Sequence, residues 1–468
     1  MRKLGVICLA VLILLCALPV SAADLPQDTA ITNSCKTLDA QMSFLGNQQL
    51  VSNTGAAIVY ETNTDTLMYS YNADAQVSPA SLLKILTALI AIEKGNMDDV
   101  VTVRADVLQT LAADAAVVEL VADEVLSVKD LLYCMMVGSG NDAAVVLADH
   151  VMGNQQAFVE EMNRYAQALG CTGTNFTNVH GLHDAQQYTT ARDVARILAK
   201  AIQNQQFCDV FGAIHYTVPQ TNKADERKLS SKNYLMNDET GINYYDERVT
   251  GGRTAVNNDQ TRSIASVAQV ADMNLICVVI GAKSQYEKDG YTEKVYGGYH
   301  ETKQLLDMGF IGNQTAQILH PNQVLQQSSV LNGNCDVIMG TREGAFSVIP
   351  ENAGYGELTY RYINEIGLSA PIEKGQTLST LQVWCGAVCL AQTEVYAMNA
   401  VAVAGSVFED AGRTRADFSF LTVLLYLLGA FFVVILAFFV ILFVLRTTHI
   451  LKGKRTSRRN RANRRRSR

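Results

Sequence analysis

The sequence predicts an α/β fold: an antiparallel sheet covered by helices, then a small β-rich domain and one transmembrane helix. Three observations predict it. Strand-like segments alternate with long helical runs as far as residue 309. Beyond that point helical periodicity fades into short β-rich pieces punctuated by Pro350 and Pro371. Near the C-terminus, residues 418–445 carry no charged side chain. At about 1.5 Å per helical residue such a run exceeds the roughly 30 Å hydrocarbon core of a bilayer. The chain has 468 residues, enough for two or three domains, and its 49 % hydrophobic content excludes a disordered protein.

The elements follow in chain order. Arg2 and Lys3, an apolar stretch over 4–18 and the small residues Val20-Ser21-Ala22 read as a signal peptide over 1–22, followed by a leader over 23–48. A domain over 49–309 opens with two strands, 56–60 and 66–71, joined by a turn-rich hairpin. A helix over 81–94 is apolar on nearly all sides, so it belongs at the centre of the domain. Helical runs over 128–137 and 142–151 flank the tight loop Gly138-Ser139-Gly140-Asn141, and a helix over 190–202 is capped by Thr189 or Thr190. Residues 264–270 and 274–282 read as adjacent strands. The second domain, 312–407, holds strand-like segments at 324–331, 335–340, 357–362, 378–384 and 387–390. The membrane helix spans 418–445.

The net charge of −7 conceals an asymmetry, because the tail over 446–468 carries 11 lysines and arginines and no acid. Beside a membrane span that tail is a topology signal that stays in the cytoplasm and meets anionic lipid headgroups, rather than a nucleic-acid site. The chain is then expected in the cell membrane as a single-pass protein, with its large domains outside. Eight cysteines follow the signal segment; their even number permits disulfides, no pairing can be assigned, and Cys134 and Cys277 sit in apolar runs as core residues.

The chemistry centres on Ser81-Leu82-Leu83-Lys84. Residues at i and i+3 of a helix share a face, so a hydroxyl and an amine meet there. Burial disfavours the ammonium form, and a neutral lysine can take the serine proton. The rival reading makes Ser81 a plain helix cap. Ser139-Gly140-Asn141 adds a second hydroxyl and an amide, or is simply turn chemistry. His180-x-x-His183-Asp184 lies in a turn-rich stretch without a further ligand, so neither a metal nor any cofactor is expected.

Together these strings resemble the penicillin-binding and β-lactamase superfamily with its Ser-x-x-Lys signature. Residues 78–89 (SPASLLKILTAL) and 137–144 (VGSGNDAA) are similar to the nucleophile segment and second motif of low-molecular-mass D-alanyl-D-alanine carboxypeptidases. Asn178-Val179-His180-Gly181-Leu182, Thr190-Ala191-Arg192-Asp193 and Asn233-Tyr234-Leu235 fit the same family. The resemblance spans about 56–309 and continues weakly through 370–376 into a β-rich C-terminal domain. It implies a serine transpeptidase-like fold with a helical subdomain carrying Ser139.

The resemblance also implies site roles. Ser81 attacks the carbonyl between two terminal D-alanines of a peptidoglycan stem peptide, Lys84 is the base, and Ser139 passes a proton to the leaving amine. Asn141 binds the stem, the N–H groups of Ser81 and Val256 hold the oxyanion, and Arg253 with Thr254 holds the terminal carboxylate. β-Lactam antibiotics are the implied covalent inhibitors. The third motif departs from the family's Lys-Thr-Gly: here it is Arg253-Thr254-Ala255. Arginine keeps the charge but cannot give up a proton, and the methyl of Ala255 adds bulk that narrows the cleft. That departure favours one rival, a non-catalytic peptidoglycan- or penicillin-binding protein. A β-lactamase is a further rival, disfavoured by the membrane span and second domain.

Overall fold

The computed structural model describes residues 36–405, apart from 41–42, 47–48, 50, 52–53, 114, 258, 289–292, 353–356 and 364–366, together with 428, 431–433 and 435–441. The expected signal peptide, most of the leader and the basic tail lie outside these residues. So does most of the expected membrane span. Its described residues are helical and expose Phe431, Phe432, Phe438 and Phe439. Among the described residues no helix is long and apolar enough to cross a membrane.

The chain divides into two compact units. The larger comprises 1–326, 339–366 and 377–396; the smaller comprises 327–338, 367–376 and 397–468. In the larger unit, strands β1 (Ala56–Glu61) and β2 (Thr66–Tyr71) form the expected hairpin. Helices α1 (Lys84–Lys94), α2 (Val128–Met136), α3 (Asn141–Met152), α4 (Gln155–Ala168), α5 (Ala191–Ala201) and α6 (Gln205–Phe211) follow. Strands β3 (Val249–Val256), β4 (Arg262–Val270) and β5 (Met273–Ala282) then complete a five-stranded sheet of order β2-β1-β5-β4-β3, antiparallel at every junction. Helix α7 (Tyr299–Phe310) closes this part. The sequence reading found β1, β2, β4, β5 and helices α1, α2, α3 and α5 within a few residues, and missed α4, α6 and α7.

Both faces of the sheet are covered, which explains the uninterrupted apolar run of β1. Its side chains alternate: Ile58 enters a core with the helices that carry Ser81 and Ser139, and Val59 enters a second core with α7. Helix α1 is buried from Lys84 to Ile92 and passes through the first core. Each fully buried Leu or Ile there stabilises the fold by about 1.5–3 kcal/mol. Gly95 ends the helix in an extended conformation. Helix α2 begins with a capping box between Ser127 and Asp130. Helix α5 begins with Thr190, whose hydroxyl accepts from the Asp193 N–H, one of the two expected caps.

The β-rich strands are β6 (Asn313–Leu319), β7 (Val324–Ser328), β8 (Val337–Thr341), β9 (Ala345–Pro350), β10 (Leu358–Ile363), β11 (Thr377–Cys385) and β12 (Val388–Ala397). Within the larger unit β6 pairs with β9, and β11 pairs with both β10 and β12, all antiparallel. Strands β6 and β9 were not anticipated. In the smaller unit, bridges join Leu331 to Ser369, Gly333 to Val403 and Ile372 to Val401. Among the described residues, Cys134, Cys171, Cys208, Cys277, Cys335 and Cys385 are free thiols, and Cys134 and Cys277 are buried as expected.

Candidate active site

The nucleophile segment begins with a short 3-10 turn, Ala80–Leu83, that runs directly into α1. In a 3-10 turn the side chains at i and i+3 lie one above the other, which aligns Ser81 with Lys84. Pro79 occupies the cap position and makes no side-chain cap bond. Among the described residues the Ser81 hydroxyl is engaged in no hydrogen bond, so capping does not consume it. The turn is tightly braced. Ala80 has φ 43°, left-handed for a residue with a side chain, and Gly181 packs directly against it at φ +91°. A Cβ on Gly181 would lie 2.1 Å from the Ala80 carbonyl oxygen, so only glycine fits there.

Lys84 is completely buried. Its Nζ donates to the Ser139 carbonyl at 2.8 Å and to Asn141 Oδ1 at 2.6 Å. Burial pushes the ammonium well below its ordinary value, and the positive charge of Arg253 adds to that effect; the Asp142 carboxylate opposes it. A neutral amine has two N–H bonds and one lone pair. Here both N–H bonds are spent on oxygen acceptors, which leaves the lone pair to receive a proton from the neighbouring serine.

The second element is built on the α2–α3 junction. Ser139 has φ 63°, a left-handed residue that turns the chain sharply between the helices. Asn141 starts α3 and is buried. Next to it, the Asp142 carboxylate accepts from the N–H groups of Val118 and Leu120, and the Asn141 N–H donates to the Ala116 carbonyl. These bonds fix the strap around 116–120 along one rim of the site. Asp142 was not singled out from the sequence, where it reads only as an acid in a helix first turn.

The third element is the sheet-edge strand β3. Its side chains alternate: Arg253 and Ala255 are buried, Thr254 is half-buried and Val256 is exposed. Arg253 reaches into the gap between the other elements. Its Nε donates to the Ser81 carbonyl at 3.2 Å, Nη1 to the Met136 carbonyl at 2.8 Å and Nη2 to Ser139 Oγ at 2.7 Å. Burial lowers this guanidinium to about 10. Thr254, the next residue along a strand, faces the other way.

A cavity of about 800 Å³ joins the three elements. Six of the seven residues expected from the sequence line it: Ser81, Ser139, Asn141, Arg253, Thr254 and Val256. The seventh, Lys84, lies behind Ser139 and Asn141, bonded to both. His180 also lines the cavity, and burial, with the Lys84 charge second, pushes its imidazole down to about 4. It is therefore neutral near pH 7, with Nδ1 accepting from the Leu182 N–H. Among the described residues no group of three or more metal-ligating side chains is present.

The arrangement can take an acyl group from a peptide or amide carbonyl onto Ser81. The family model of D-alanyl-D-alanine carboxypeptidases matches residues 45–284, and that of the penicillin-binding protein 5 C-terminal domain matches 314–403. D-alanyl-D-alanine carboxypeptidase DacA of Haemophilus influenzae is 30 % identical over 357 residues, covering 74 % of this chain and 85 % of the relative. DacC of Escherichia coli is 30 % identical over 345 residues, covering 71 % and 80 %. Penicillin binding protein 5 from Haemophilus influenzae superposes with a TM-score of 0.60 at 29 % identity, covering 76 % of this chain and 100 % of that one. The chain belongs to the D-alanyl-D-alanine carboxypeptidase family.

Proposed function

We propose that this protein removes the terminal D-alanine from peptidoglycan stem pentapeptides through an acyl-enzyme on Ser81. It is a serine-type D-alanyl-D-alanine carboxypeptidase, and the non-catalytic and β-lactamase readings are not favoured. One observation carries the chemistry: Lys84 is buried with both N–H bonds of its neutral form committed to Ser139 and Asn141. Its lone pair takes the Ser81 proton as Oγ attacks the carbonyl between the two D-alanines. The backbone N–H groups of Ser81 and Val256 hold the oxyanion. The proton passes through Ser139 to the departing amine, and D-alanine leaves. Asn141 holds the stem peptide on the acyl side. Water then cleaves the ester, returning a tetrapeptide and free Ser81. A β-lactam follows the same first step but leaves no departing group, so it stays on Ser81.

The cellular setting belongs to the same proposal. Residues 1–22 direct export, residues 49–309 form the catalytic domain and 312–407 the β-rich domain. Residues 418–445 anchor the chain, and the basic tail over 446–468 rests in the cytoplasm against anionic headgroups. The uncharged run followed by a tail without acids supports this placement.

Incubation with a pentapeptide muropeptide tests the activity. Mass spectrometry should show loss of one alanine with the wild-type protein and none with Ser81→Ala. A pentapeptide unchanged by the wild type would contradict the proposal.

A further inference from the structure

An arginine stands where the family carries lysine, and its surroundings give it a specific task. Its three kinds of nitrogen are each committed: Nε to the nucleophile turn at the Ser81 carbonyl, Nη1 to the end of α2 at the Met136 carbonyl, and Nη2 to Ser139 Oγ. The side chain is only 4 % exposed. It lies on the buried side of β3, together with Ala255 and opposite to Thr254. Three of its five N–H bonds are thus spent within the protein, one on each of the three nitrogens.

We propose that Arg253 is a positioning residue that ties the nucleophile turn, helix α2 and Ser139 into one frame, and that it does not bind the substrate carboxylate. Arg253 and Thr254 both line the cavity but alternate along β3, so on this reading the carboxylate is left to Thr254. This inference rests on the acyl-transfer reading of the site and deepens it.

The choice of arginine also directs the proton. A guanidinium donates five N–H bonds and accepts none. Ser139 Oγ must therefore accept from Arg253, and its own O–H is left free for another acceptor. A lysine at this place can exchange roles when it loses its proton; arginine cannot. Arg253 therefore neither takes up nor returns a proton that passes through Ser139. The guanidinium also faces Lys84 across the same buried space. The other groups facing Lys84 are Asp142 and Asn141 on α3, the Ser139 carbonyl and His180. Asp142 is the one anionic group among them, and its carboxylate is spent on backbone N–H groups.

The test compares a penicillin with its carboxyl methyl ester as acylating probes of the full chain, in the wild type, Arg253→Lys and Arg253→Met. A positioning role predicts that both variants lose about tenfold or more in acylation rate with both probes alike. In Arg253→Met the acidic limb of the rate also moves to higher pH, because Lys84 loses a like-charged neighbour. A loss confined to the free acid, with the ester rate and the acidic limb unchanged, would overturn the inference in favour of a carboxylate clamp. Circular dichroism checks folding, and if Arg253→Met does not fold, Arg253→Lys carries the comparison, since it keeps the charge but not the three-way tie. A wild type that neither probe acylates would instead overturn the acyl-transfer reading, and the inference with it.

Discussion

The helix-borne half of the site and the strand-borne half follow different rules. On the 3-10 turn and α1, residues three apart share a side, so Ser81 and Lys84 form a pair, and Lys84 bonds the Ser139 carbonyl and Asn141. On β3, neighbours in sequence face opposite ways, so Arg253 joins the helical half while Thr254 does not. The helical half keeps the family's residues, and the strand half departs from them at two positions on the same buried face, Arg253 and Ala255. A motif read as adjacent letters therefore means one thing on a helix and another on a strand.

The largest effect is expected where the helical half is braced. Gly181→Ala places a methyl 2.1 Å from the Ala80 carbonyl oxygen at a left-handed backbone position, so the nucleophile turn must move. A displacement near 1 Å costs about 100-fold in such sites, and the penicillin acylation rate should fall by about that factor. An unchanged rate would show that Gly181 does not set the position of Ser81.

The next effect tests the electrostatics behind the same turn. His180 is held neutral at about 4, below its ordinary 6.5. The unfolded chain therefore binds its proton first as pH falls below 6.5. The stability from this group is full above that value and is lost toward pH 4. By pH 5 the loss is about 2 kcal/mol. Urea midpoints at pH 7 and pH 5 should differ more in the wild type than in His180→Gln; equal differences would remove His180 from the account.

The smallest effect belongs to the strand half. Ala255 is 5 % exposed and packs in the helix-side core. Ala255→Gly should cost about 1 kcal/mol of stability and change acylation by less than about threefold. A rise of about tenfold or more would show that the methyl narrows the groove, as the sequence alone suggested.

Most of the helical half was legible because its signals are local. Ser81 and Lys84 stand at a spacing with a fixed meaning, Thr190 precedes its helix as a cap, and the apolar runs of β1 and β5 declare strands buried on both faces. Helix α4 was not read because its apolar residues, Phe158, Val159, Met162 and Ala166, are thinly spread among polar ones, although the Asn154 cap gave a local signal. The tie between Arg253 and Met136 joins residues far apart in the chain, and no local pattern encodes it. The role of Asp142 depends on backbone N–H groups around 118–120, which a sequence does not display.

The central claim is that Ser81, activated by a neutral Lys84, forms the acyl-enzyme. The most direct measurement is intact-protein mass spectrometry after brief exposure to a penicillin, followed by mapping of the modified peptide. The account predicts one adduct, on Ser81, absent from Ser81→Ala and much slower to form in Lys84→Met. An adduct that persists in Ser81→Ala, or that forms as fast without the Lys84 amine, would contradict it.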